Sequence, residues 1–99
     1  MRDETVARNY AEALFELAGR HEGVEVYGEG VETVAVLIDE NDDFRRFLET
    51  PRIAVVQKKA VVRGVFGEKL PTRLVNFVLI TLDKGRQRLL RAIAREYRG

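Results

Sequence analysis

The chain has 99 residues, 45% of them hydrophobic and 33% charged, with a net charge of +1. That suffices for one soluble domain with a single modest core and is too little for two, and it gives no global pull toward nucleic acid or a membrane surface. The absence of cysteine excludes disulfides and thiolate metal sites, and no apolar run approaches the length of a membrane span.

Turn signals at Gly19–Gly23, Glu40–Asp43, Thr50–Pro51, Gly67–Pro71 and Gly85 divide the chain into segments of helical length. In the first, Thr5–Ala18, Val6, Tyr10, Ala13 and Leu17 share one stripe at helical spacing. Ala7, Ala11, Leu14 and Ala18 form a second stripe beside it, with Phe15 at the far edge. The apolar arc covers about 200°, more than a helix needs to close one core. Such a helix is central to its bundle or touches something on two sides.

Val24–Ile38 presents Val24, Tyr27, Val31, Val34, Ala35 and Ile38 on one face. Gly28 and Gly30 weaken this helix by about 1 kcal/mol each relative to alanine and put its regularity in doubt. Asp42–Glu49 forms a short helix with two acids at its positive end and Phe44, Phe47 and Leu48 inward. Ile53–Phe66 is rich in valine, which favours strand. Gln57–Ala60 breaks any alternation, however, and a lone strand would leave its backbone unpaired, so the segment is predicted to be a helix.

Pro71 suits the first turn of the next helix, Thr72–Lys84. There Leu74, Val75, Val78, Leu79 and Leu82 gather on one face, while Phe77 and Ile80 stand apart, edged by Arg73, Thr81 and Lys84. One core leaves that second facet unexplained. After Gly85, Leu89, Leu90, Ile93 and Tyr97 make a narrow stripe among arginines. The expected architecture is all-α, a compact bundle of five or six short helices in one domain.

Catalysis needs converging polar groups, and few candidates exist. His21 is the only histidine, in a turn, and the chain has no serine to act as nucleophile. Asp39, Glu40, Asp42 and Asp43 lack the spacing and turn glycine of a calcium loop and read as capping and solvated acids. No glycine-rich phosphate loop is present. A non-catalytic chain without cofactor or metal is expected. The opening MRDETVARNY lacks the apolar core of a secretion signal, which predicts a cytosolic location. The five arginines from Arg86 to Arg98, against the single acid Glu96, give the tail a local charge of about +4. They read as a solvated helix face around a core stripe; phosphate binding is the alternative.

Two stretches carry a family resemblance. VARNYAEALFELA (Val6 to Ala18) resembles the N-terminal helix of ATP synthase δ subunits, the family that includes the oligomycin-sensitivity-conferring protein. LVNFVLITLDKGRQRLLRAIAREY (Leu74 to Tyr97) resembles the same family's fifth and sixth helices, joined by a Gly-Arg turn. Between them, TPRIAVVQKKAVVRGVFG keeps the family's proline-led turn, apolar helix and closing glycine.

The resemblance implies a six-helix N-terminal domain in the peripheral stalk of a bacterial F-type ATP synthase. This stator element, at the cytoplasmic face of the plasma membrane, would be soluble and monomeric when isolated, without membrane insertion or nucleic-acid binding. It implies a groove between the first and fifth helices for the amphipathic N-terminal helix of an alpha subunit. By position, one wall would be Tyr10, Ala13, Leu14 and Leu17, and the other Phe77, Ile80 and Thr81. Contact with the b-subunit stalk would require the family's second domain, to which nothing in this chain corresponds. The alternatives are an all-α RNA-binding module like those of transcription antitermination factors, relying on Arg88, Arg91 and Arg95, or a bundle that self-associates through Phe77 and Ile80.

Overall fold

The computed structural model describes residues 2–99. Six α-helices follow in order: α1 (Arg2–Arg20), α2 (Val24–Glu40), α3 (Asp42–Glu49), α4 (Val55–Phe66), α5 (Thr72–Asp83) and α6 (Leu90–Arg98). A single 3₁₀ turn, Gln87–Leu89, leads into α6. The valine-rich segment is helical, as the lack of a pairing strand requires. It sets Lys58, Val62 and Phe66 inward at four-residue intervals. Each break has a local cause. Asn41 ends α2 with extended backbone, and its Oδ1 accepts the Phe44 amide at 2.9 Å to cap α3.

Two apolar clusters replace the single core expected from the composition. One gathers Ala7, Ala11, Leu14 and Ala18 of α1 with Tyr27 and Val31 of α2, Leu74 and Phe77 of α5, and Ile93 and Tyr97 of α6. The other joins Val34 and Ile38 of α2 to Leu48, Val62, Phe66 and the Val75, Val78, Leu79 and Leu82 face of α5. Helices α2 and α5 contribute to both clusters: along α2 one buried stripe passes from the first cluster to the second, whereas on α5 the two clusters occupy adjacent sectors of the helix.

The two glycines of α2 leave the helix unbroken and mark close approaches. A methyl group at Gly30 would collide with Leu74 Cδ2, a fully buried side chain with little room to turn away. At Gly28 it would stand 2.9 Å from the Tyr97 ring. That ring is held by its hydroxyl, which donates to the Val24 carbonyl at 2.5 Å.

The sharp α1–α2 turn is fastened from inside. The fully buried Tyr27 donates its phenol proton to Glu22 Oε1 at 2.6 Å. Burial, reinforced by this bond to a carboxylate, pushes the phenol up to about 12. The same bond holds the Glu22 carboxyl below its ordinary range. At the far end, buried Lys58 donates to the Thr50 carbonyl at 2.7 Å, and Gln87 Nε2 donates to the Leu48 carbonyl at 2.7 Å. Both satisfy carbonyls left over at the end of α3.

The two glycine environments predict opposite responses to one substitution. Gly64, within α4, has open space around it, so Gly64→Ala should stabilise the fold by about 0.5–1 kcal/mol through helix propensity. Gly30→Ala should instead lose about 1 kcal/mol or more, the collision outweighing the same gain. Chemical denaturation of both variants checks the pair. A second prediction concerns alkali. Folding raises the Tyr27 pKa, so its contribution is fully present below about pH 10 and is lost as the pH climbs to about 12. Tyr97, also raised by burial, loses stability in the same direction. The melting temperature of Tyr27→Phe should therefore fall less steeply than wild type above pH 10.

Candidate docking groove

Helices α1 and α5 share a cluster, but their backbones approach closely at few points. They meet through side chains: the rings of Tyr10 and Phe77 stand edge to face with centroids 5.9 Å apart. Phe77 is only 8% exposed, so half of the surplus facet on α5 is used inside the molecule. Ile80, one turn on, is 47% exposed and remains as its open part. Across the seam, Ala13 is exposed, and Tyr10 and Leu17 are half-buried.

Two of the sequence-predicted wall residues lie deeper. Leu14 has no exposed surface, and Thr81 is fully buried with its hydroxyl turned back to the Val78 carbonyl at 2.6 Å. Neither reaches the surface, so the exposed part of the expected walls is Ala13 and Ile80, with half-buried Tyr10 and Leu17 and the edge of Phe77.

Tyr10 is held in place by a residue that the sequence reading left among solvated arginines. Gly85 adopts φ +69°, closing α5 with paired amide bonds from Gly85 to Leu82 (3.1 Å) and from Arg86 to Thr81 (2.8 Å). This reversal turns Arg86 back over α1. Its Nη1 donates to the Tyr10 hydroxyl at 3.1 Å, and its guanidinium carbon lies 5.8 Å from the ring centroid. Tyr10 thus sits between a cation and an aromatic edge. The Gly-Arg pair in the sequence was the available signal, but its target lies 76 residues away. Arg73 and Lys84 lie on the same edge of α5, which makes the α5 side of the seam basic, and Arg73 also acts on the Glu22 carboxylate. Neither of these two makes an ion pair among the described residues.

The tail arginines are mostly spent within the bundle. Arg88 faces Asp3 (3.6 Å), Arg91 bridges Asp39 (3.0 Å) and Glu49 (3.8 Å), and Arg98 meets Glu32 (3.1 Å). Such exposed pairs add little stability. They do lower the local positive potential, and they spread these side chains over separate faces, which weakens the phosphate-binding alternative. His21 lies exposed in the turn after α1. Among the described residues no cluster of three or more His, Cys, Asp or Glu is placed to hold a metal ion, and no helix is long and apolar enough to cross a membrane.

The seam between α1 and α5 is thus apolar, with its central ring held by Arg86 and Phe77. Residues 6–99 match the family described as ATP synthase delta (OSCP) subunit. The chain is 43% identical over 94 residues to the ATP synthase subunit delta of Gemmatimonas aurantiaca, covering 95% of this chain and 51% of that protein. It is 37% identical over 98 residues to that of Moorella thermoacetica, covering 99% and 54%. For Gloeobacter violaceus the figures are 37% over 95 residues, covering 95% and 51%. The chain belongs to the ATP synthase delta (OSCP) subunit family and spans about half the length of these curated relatives.

The turn at Gly85 carries the position of Arg86, and it is testable. No neighbouring atom obstructs a side chain there, so Gly85→Ala should lose about 1–2 kcal/mol through backbone strain alone. Gly85→Asn, which tolerates the left-handed region, should lose clearly less; equal losses by denaturation would show that φ is not the cause.

Proposed function

We propose that this chain is a stator element in the peripheral stalk of an F-type ATP synthase and performs no chemistry itself. Its α1–α5 groove takes the amphipathic N-terminal helix of an alpha subunit and so holds the catalytic head against rotation. The observation that carries this reading is the seam bridged by the Tyr10 and Phe77 rings, with Ile80 left 47% exposed on the same helix. An incoming helix would lie along Ala13, whose small side chain permits close approach. It would cover Leu17, Ile80 and the edge of Phe77, in the manner of helix-in-groove recognition. Covering these groups would contribute several kcal/mol, roughly, before ordering costs. The basic rim of Arg73, Lys84 and Arg86 suits a helix with acidic residues flanking its apolar stripe.

Contact with the b-subunit stalk would fall to the other half of the family's length. The site of action would be the cytoplasmic face of a bacterial plasma membrane, where the domain would be a peripheral part of the complex.

Calorimetric titration with a peptide of the alpha-subunit N-terminus tests the reading. A one-to-one complex is expected, and Ile80→Asp, which alters only the outer edge of α5, should weaken it by about tenfold or more. Unchanged affinity in a folded Ile80→Asp variant would remove the groove from consideration.

A further inference from the structure

On the other side of α1 lies a second apolar surface that the groove does not use. Phe15 projects about 160° around the helix from Ala13 and Leu17 and is 48% exposed. It does not hang free: its ring rests on Tyr97 with centroids 5.6 Å apart and planes inclined at 52°. Beside the pair runs a cleft of about 610 Å³ between α1, α2 and α6, lined by Phe15, Val24, Gly28 and Tyr97. Gly28 keeps its floor flat, because any side chain there would meet the Tyr97 ring.

The rim of this cleft is acidic. Glu25, Glu29 and Glu32 lie along the adjoining edge of α2. Arg98 neutralises Glu32 at 3.1 Å, whereas neither Glu25 nor Glu29 makes an ion pair among the described residues. Two uncommitted carboxylates one helical turn apart therefore flank an aromatic slot. A helix offering a large apolar side chain with lysine or arginine one turn to either side matches both the slot and its charges.

We propose that the Phe15–Tyr97 cleft is a second docking surface, whose occupant is a cationic amphipathic helix. Its charge preference is opposite to that of the basic-rimmed α1–α5 groove, so the two surfaces select different partners. The proposal is independent of what occupies that groove.

The test is a titration of the isotope-labelled chain with an amphipathic Leu/Lys peptide of about four helical turns, followed by amide chemical shifts. A Leu/Glu peptide of the same pattern serves as control. Saturable shifts are expected at Phe15, Gly28, Glu29 and Tyr97 with the Leu/Lys peptide and not with the control. The surface variant Glu25→Lys/Glu29→Lys should weaken binding by about tenfold or more, and Phe15→Ala should weaken it while keeping the spectrum of the folded chain. Ile80→Asp should leave it unchanged. Three outcomes would overturn the assignment: shifts confined to Tyr10 and Ile80, equal binding by the charge-reversed variant, or no saturable binding at all. Self-association of the free chain that Ile80→Asp abolishes would overturn it too, by making a second copy's basic α5 edge the occupant.

Discussion

Helix α2 meets α5 at Gly30, where the missing side chain admits Leu74 and both residues are sealed from solvent. Both clusters are organised around this approach, since α2 and α5 contribute to each. A bundle of this length has few buried side chains to spare, and moving two central helices apart by even one methyl group would loosen packing on both sides. The glycine lowers the intrinsic helix propensity of α2 and in return permits a spacing that alanine would not.

The proposed docking surface follows from the same constraint. With its Leu74, Val78 and Leu82 side committed to α2 and the two clusters, α5 presents only an edge to α1. That edge is bridged by Tyr10 and Phe77 and leaves Ile80 uncovered. Helix α1 is bound mainly to α6 and α2, so it does not close the gap either. The Gly85 reversal then brings Arg86 over Tyr10, fixing the aromatic that sits where the helices come nearest. The proposed groove lies where two helices are each held more firmly by other neighbours.

Much of this was legible in the sequence. Helix boundaries follow from glycine, proline and acidic punctuation, which act locally, and the inward faces of α2, α5 and α6 follow from periodicity. The surplus apolar arc on α1 was also visible, and the structure divides it between the groove side and Phe15. What the sequence withheld depends on distant pairs. Gly28 and Gly30 look like weaknesses until Tyr97 and Leu74 are seen against them. Leu14 and Thr81 share an angular sector with groove residues, but depth is set by neighbouring helices, so a wheel cannot separate floor from wall. Arg86 resembles the other tail arginines in composition and differs only in where the turn sends it. The valines of α4 favour strand yet form the expected helix, since no second strand is there to pair with them.

The central claim is that the α1–α5 seam is the face that receives a partner helix. Mapping backbone amide shifts of the labelled chain on addition of an alpha-subunit N-terminal peptide tests it most directly. The account predicts perturbations centred on Tyr10, Ala13, Leu17, Phe77 and Ile80, with the Tyr10 ring signals moving as its surroundings lose water. Perturbations centred instead on Phe15, Gly28 and Tyr97, with the α1–α5 seam undisturbed, would contradict it.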